Sequence, residues 1–520
     1  MKIFKTKFLS LLLLFIFFGL LFFGVKNQSQ SWYFQDETEH ITLGWMITDY
    51  GRQLYTNLST NHQPLPIFVG SLSKFISYNT LFIFIDGLRI SMWFFALITS
   101  IIIVFRFKWI GLISVTLTYS LSHYYFGWHV LAESLVVPSV IWMLLTIFDK
   151  KELLIDKIIF GVSSFWITFS LLPLWPFVLL SNIYYFWSKK MTRKLVLIGF
   201  LVPTFVLFLF INPFHWWQET IINNVLFFLP YEATNGIEHY FRILFYPLLY
   251  FTFFKSQIAR FYIAFVILII TIFIIFKQKI IENKEKRVKI LISTLLIISL
   301  NPRESVPSVV FYNIFHLFPY IAGISVLISL ILNDTFLLFK FSKNMKIIFI
   351  VECIFLGLLF FNNLPWIWEK RDKLSDYYIK YDTFQSYGTA LKTISSPGDT
   401  LLTGPNGSGY MNMMGDLPLA GRQNFHLEWA YRTPYLREAW MGMIENNPPT
   451  FIYFDFNNDS YSKILKPLVD SNYIALKRIN GSSTQLMMRK DAINKVTIKQ
   501  WKAFEDQSFL IPDTYTIDLK

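Results

Sequence analysis

The sequence predicts a polytopic α-helical membrane protein, with about eleven transmembrane helices over residues 1–363 and a soluble, extracytoplasmic α/β domain over residues 364–520. Three observations predict it. Of 520 residues, 54% are hydrophobic and only 16% charged, a balance far too apolar for an ordinary soluble chain. The apolar residues run in segments long enough to cross ~30 Å of hydrocarbon as helices. Lys and Arg collect in alternate loops, 21 in one set against 8 in the other before Phe361, which is the asymmetry that keeps positive loops in the cytoplasm.

In chain order the spans are Phe8 to Val25, Leu88 to Phe105, Trp109 to Phe126, Ser134 to Phe148, Leu195 to Ile211, Ile258 to Phe276, Ile314 to Leu332 and Ile347 to Phe361. Ile158 to Trp187 carries Pro173 and Pro176 near its middle and reads as two crossings with a tight turn, and the short Val288 to Leu300 needs its flanks to cross. The first span has a basic start but no small-x-small cleavage pattern before Asn27, so it reads as an uncleaved helix. This places the N-terminus in the cytoplasm, the C-terminal domain outside and the protein in the plasma membrane. The net charge of +13 is then a matter of topology and calls for no nucleic-acid partner, because the tail after Phe361 holds 18 basic and 17 acidic residues. The one cysteine, Cys353, lies in an apolar span and excludes an intrachain disulfide and a cysteine-based metal site.

The densest polar chemistry of the first third follows the first span: QDETEHITLGWMITDYGRQLYTNLSTNHQPLP, residues 35–66. Asp36 through Tyr50 forms a helix pattern with Asp36 and Glu37 in its first turn and Gly51 just past its end. Arg52, Tyr55 and His62 follow, ahead of Pro64 and Pro66. On a surface helix the two acids simply complement the helix dipole. In a catalytic loop Asp36 is a general base, able to take a hydroxyl proton.

The ordered set of an acidic pair, Gly-x-x-Leu-Tyr and His-x-Pro-Leu resembles the first outer loop of the lipid-phosphate-sugar-dependent glycosyltransferases of the GT-C fold, the protein O-mannosyltransferase and aminoarabinose-transferase superfamily (glycosyltransferase family 39-like). Those families usually carry His-Pro-Pro-Leu, and Gln63 stands here in place of the first proline. The resemblance extends over the first 150 residues or so. It implies a GT-C-like fold, a polyprenyl-phosphate-linked sugar as donor, a glycan, lipid or protein hydroxyl as acceptor, and Asp36 and Glu37 in the catalytic site. It also implies a second acidic residue near the next outer loop, where Glu133 is the acidic residue present.

A leaving phosphate needs cationic hydrogen-bond donors, and a guanidinium supplies two in parallel. Arg52 and His62 lie in the first loop with Tyr55; Arg89 opens the second span beside Asp86, with which it either pairs or serves phosphate; Arg303 lies in the outer stretch NPRESVPSVVFYN. The next outer loop, HYYFGWHVLAE, sets His129 four residues before Glu133, so both face one side of a helix start, although the same residues also read as an aromatic belt. Two such ligands are too few for a metal site, and a divalent cation stays open. Trp216, Trp217, Phe227 and Phe228 mark amphipathic helices lying on the membrane, as interfacial anchors or as guides for a lipid tail.

In the tail, strand-like runs at Thr400 to Thr403, Thr450 to Phe456, Tyr473 to Leu476 and Gln485 to Met488 alternate with helix-like runs at Tyr435 to Glu445 and Tyr461 to Val469. The glycine-rich stretch Gly404 to Gly409 lacks both the P-loop Lys and the dinucleotide spacing and reads as a turn. The activity comes from the resemblance and not from composition: it implies an inverting membrane glycosyltransferase, a hexosyl- or pentosyltransferase. The alternative is a polytopic transporter or lipid-linked glycan flippase, but transporters bury ionisable groups at mid-membrane in paired halves, whereas the spans here are nearly uncharged.

Overall fold

The computed structural model describes residues 2–28, 35–78, 84–149, 151, 153–188, 193–223, 226, 291–293, 295–300, 314–337, 376–403, 409–422, 433–453, 467, 469–478, 483–508 and 510–512. The expected spans Ile258 to Phe276 and Ile347 to Phe361, the residues Phe227, Phe228 and Arg303, and most of the helix-like run Tyr461 to Val469 lie outside them. The chain divides into two compact units that are not contiguous in sequence. One comprises Met1–Ser29, Ile85–Val206 and Asn235–Asp372, the other Gln30–Phe84, Leu207–Thr234 and Lys373–Lys520.

The first unit is helical. Its described helices are α1 (Lys2–Gln28), α4 (Phe84–Ser120), α5 (Ala132–Phe148), α6 (Leu154–Thr168), α7 (Trp175–Ser188), α8 (Arg193–Leu207) and α10 (Phe318–Leu337). Helix α4 is two helices joined at Lys108, whose φ of 55° and ψ of −126° break the helical path between the two spans expected there. The second of these ends at Ser120, short of Phe126, in a 3₁₀ turn over Ser122–Tyr125 closed by Phe126 at φ 54°. The turn expected at Pro173 is a 3₁₀ segment, Leu172–Leu174, between α6 and α7. Lys7–Lys26 and Gly87–Ser120 are each long and apolar enough to cross a membrane.

Leu14, Phe18, Val104, Val140, Phe160 and Phe318 belong to one buried core, while Ile98, Phe105, Leu179, Trp187 and Phe205 point outward, so the helices are apolar on both faces. That is the pattern of helices solvated by lipid. Where burial gives no preference between lipid and protein, close packing decides which helices associate. Gly161 of α6 and Gly199 of α8 supply it: a Cβ on either would overlap the facing backbone carbonyl of Val196 or Ile158.

The second unit opens with α2 (Gln35–Tyr50) and α3 (Pro64–Tyr78). Acids in its first turn favour the start of α2, Gly51 at φ +62° ends it, and Pro64 starts α3 where no backbone N–H is needed. The two helices approach through glycines: a Cβ on Gly44 would lie 2.5 Å from Ser71 N, and one on Gly70 2.5 Å from His40 O. A short helix, α9 (Pro213–Trp217), is capped by the Asn212 side chain and runs into a π-helical turn over Gln218–Ile222.

The rest of the unit is built on a five-stranded sheet in the order β1-β2-β4-β3-β5, with β1 (Leu401–Thr403) parallel to β2 (Phe451–Tyr453). The other pairings, through β3 (Tyr473–Arg478), β4 (Ser483–Arg489) and β5 (Leu510–Pro512), are antiparallel. These strands fall on the strand-like runs of the sequence, with β5 in addition. Helices α11 (Asp376–Ile394), α12 (Gly409–Gly415), α13 (Pro434–Asn446) and α14 (Ile498–Ser508) accompany them. Leu402, Trp440, Ile452 and Met487 share the core. The outer edge of β1 is covered by α12 and the segment after it, through Leu401 N donating to Pro418 O at 3.1 Å and Asn412 Nδ2 of α12 donating to the carbonyls of Leu401 and Leu417 at 3.0 Å each. That cover is what carries residues 416–422 toward the first loop.

Candidate active site

In the second unit the site is built from α2 and the loop that follows it. Asp36 on the first turn of α2 is half-buried, whereas Glu37, Glu39 and His40 are buried. Past Gly51 the chain coils on the Gln53 carbonyl, which accepts from the backbone N–H groups of Asn57 at 2.9 Å and Leu58 at 3.2 Å. This coil brings Thr60 and His62 back over α2. Thr60 Oγ1 donates to Glu39 Oε1 at 2.7 Å, the backbone N–H of His62 donates to Thr60 Oγ1 at 3.1 Å, and His62 Nε2 lies 3.6 Å from Glu39 Oε2. The rings of His40 and His62 meet edge to face with centroids 4.8 Å apart. A carboxylate and an imidazole of α2 thus meet an imidazole of the loop, with Asp36 one helical turn before Glu39.

Tyr55 is fully buried and donates its hydroxyl to the His62 carbonyl at 2.8 Å. Burial, reinforced by the nearby charges of Glu219 and Glu39, pushes this phenol well above its ordinary pKa, so it stays a neutral donor that sets the path of the loop. Gln63, standing where a proline is usual, accepts from Trp216 Nε1 at 3.1 Å. Arg52 extends to the tail, with NH1 donating to Gly421 O at 2.6 Å and NH2 to Leu419 O at 3.0 Å.

Behind the loop lies a second carboxylate, Glu219, in the turn after α9. It accepts from Arg422 NH2 at 2.6 Å and from Ser59 Oγ at 3.0 Å, and Asn223, one turn on, donates to Tyr435 Oη at 2.7 Å. Burial raises the pKa of Glu219, and the Arg422 charge followed by hydrogen bonds from Tyr435, Ser59 and Asn223 only partly offsets that.

The first unit holds a separate acid–imidazole pair. Glu133, on the first turn of α5, is buried with Oε1 2.6 Å from Nδ1 of His316. The ring of His129 packs on Phe126 at 4.7 Å, and Ser134 Oγ donates to the Phe126 carbonyl at 3.0 Å, which fixes the turn. Arg89 is buried on α4.

Of the residues singled out in the sequence, the structure groups Tyr55 and His62 around Glu39, sets Asp36 and Glu37 at the start of the same helix, and turns Arg52 toward the tail carbonyls. Glu133 and His129 flank one short loop in the other unit. Sequence reading missed Glu39, Thr60, Glu219, Arg422 and His316. Glu39 had a signal in its spacing, since it shares a helix face with Asp36; His316 and Arg422 had none. Among the described residues no group of three or more His, Cys, Asp or Glu side chains is placed to hold a metal ion.

No protein family matches the chain by its family model, and no curated protein matches it. Similar solved structures include two of ArnT from Cupriavidus metallidurans, one in the apo state and one bound to undecaprenyl phosphate. Each is 11% identical, covers 92% of this chain and 97% of its own, and gives a TM-score of 0.50. Identity that low speaks to fold alone. The likeness runs over the tail as well as the helices, beyond the first 150 residues or so over which the sequence resemblance extends, and the chain is a helical membrane protein with a GT-C-like fold.

Proposed function

We propose that the protein is an inverting glycosyltransferase that moves a sugar from a polyprenyl-phosphate-linked donor to a hydroxyl of a glycan, lipid or protein acceptor at the outer face of the plasma membrane. The observation that carries this reading is the likeness, over 92% of the chain, to an ArnT structure bound to undecaprenyl phosphate. The soluble domain of residues 364–520 and the first loop share the outer compartment in this proposal, with the N-terminus inside.

The reaction needs a base and a phosphate site. The acceptor hydroxyl gives its proton to a carboxylate, its oxygen attacks the anomeric carbon from the face opposite the leaving group, and the bond from carbon to phosphate oxygen breaks, its electron pair leaving on polyprenyl phosphate. Asp36 is the proposed base. It is half-buried on the first turn of α2, so an acceptor reaches it. Glu37 and Glu133 are the next acids in line. Negative charge grows on the phosphate as the bond breaks, and fixed donors there stabilise the transition state more than the ground state. Arg52 is the first proposed donor; Arg303 and Arg89 follow it, and His62, held by Tyr55, and His129 are the further candidates.

Asp36→Asn tests the assignment, since the amide keeps the shape and cannot accept the proton. The variant inserts normally and its turnover falls on the order of 10²- to 10⁴-fold. Near wild-type turnover in Asp36→Asn with loss in Glu133→Gln would move the base to the Glu133–His316 pair.

A further inference from the structure

Arg422 and Glu219 belong to none of the groups assigned to base or phosphate, yet they join three distant stretches of chain. Arg422 NH2 donates to the Tyr55 carbonyl at 2.7 Å and to Glu219 Oε1 at 2.6 Å, while the Arg422 carbonyl accepts from Ser59 N at 2.7 Å. Ser59 Oγ donates to the same Glu219 oxygen at 3.0 Å. Ser59 is next to Thr60, whose hydroxyl donates to Glu39, and Tyr55 holds the carbonyl of His62. Glu219 is almost wholly buried and Ser59 is fully so, which makes the geometry costly to leave half-made. Arg422 itself comes from the segment that covers the β1 edge.

We infer that the Arg422–Glu219 ion pair is a positioning device for the first loop: the C-terminal sheet, through the segment over β1, sets the placement of Thr60 and His62 over Glu39. The tail is then a working part of the transferase and not an appendage to it. This rests on the glycosyltransferase reading only for its consequence in turnover; the geometry stands apart from it. One guanidinium nitrogen, NH2, reaches the Tyr55 carbonyl and the Glu219 carboxylate at once, so a single group ties the loop backbone to the buried acid.

The test uses the full-length protein in lipid, comparing Arg422→Lys, Arg422→Ala and Glu219→Gln with wild type. Two quantities are read: kcat and KM with a polyprenyl-phosphate sugar, and hydrogen exchange at the amides of Ser59 and His62. Positioning predicts kcat lower by about 10- to 100-fold in Arg422→Ala and less in Arg422→Lys, KM for the lipid donor within about 3-fold, and faster exchange at both amides. A merely structural role lowers the yield of folded protein and leaves kcat per folded molecule alone. Wild-type kcat in Arg422→Ala, or unchanged exchange at Ser59 in all three variants, would overturn the inference. Should the wild type itself release no polyprenyl phosphate, the functional reading fails and the exchange measurement alone judges the device.

Discussion

The guanidinium of Arg52 donates to the Gly421 and Leu419 carbonyls, one from each terminal nitrogen. The sequence marked it as a phosphate ligand because arginine in a polar loop fits phosphate; it had no means of showing that residues 367 and 369 positions away would take part of the same fork. Both roles are testable in one pair of variants. Arg52→Ala loses the two carbonyl bonds and the charge, and thermal unfolding in detergent should reveal a loss of about 1–2 kcal/mol, scaled down from a buried charged hydrogen bond for partial exposure. Arg52→Lys keeps the charge without the fork, so its turnover falls less than that of Arg52→Ala while its stability falls nearly as much. Turnover in Arg52→Ala as fast as in wild type would remove Arg52 from the phosphate site and leave it as a tether. At the same scale Glu39 shows where legibility stopped: the run Asp36-Glu37-Thr38-Glu39-His40 displayed three acids, and the choice among them depends on which one Thr60 and His62 fold back to meet.

Among the elements, those with local causes were legible. Acids in the first turn and Gly51 after Tyr50 bounded α2, and Pro173 and Pro176 marked the turn between α6 and α7. The close approach of α2 and α3 was not, because Gly44 and Gly70 become significant only once the helices meet. Nor was the attachment of the turn after α9 to the first loop, which runs through Glu219. That element carries a prediction about pH. Burial holds the pKa of Glu219 above its ordinary value of 4.5, so the folded protein keeps this proton to a higher pH than the unfolded chain does. The contribution to stability is therefore complete below the unfolded value and is lost as pH rises through the folded one, at no more than ~1.4 kcal/mol per pH unit for one proton. The stability of wild type minus that of Glu219→Gln, from denaturant titrations at a series of pH values, should fall as pH rises above 4.5. A difference that rises over that window means that the Arg422 charge outweighs burial, with the folded pKa below the unfolded one.

For the whole molecule, composition was enough to predict membrane helices and a polar tail, and the alternation of strand-like and helix-like runs in the tail matches the sheet. Composition could not show that the first loop, residues 207–234 and the tail form one compact unit, since pairs such as Ser59 with Glu219 and Arg422 with Glu219 are 160 and 203 residues apart. The His316 partner of Glu133, 183 residues away, was hidden for the same reason. Topology is open to a direct check: in a Cys353→Ala background, Asn57→Cys should react with an impermeant thiol reagent on intact cells. Labelling only after lysis would place the first loop inside and reverse the proposed orientation. The central claim is that this fold moves a sugar from a lipid carrier. Purified protein in liposomes, given radiolabelled polyprenyl-phosphate hexoses and pentoses with crude envelope acceptors, should release polyprenyl phosphate in step with sugar transfer, and should give no product from nucleotide sugars alone. Turnover of a nucleotide sugar without any lipid carrier, or movement of the intact lipid-linked sugar across the bilayer with no polyprenyl phosphate released, would contradict it.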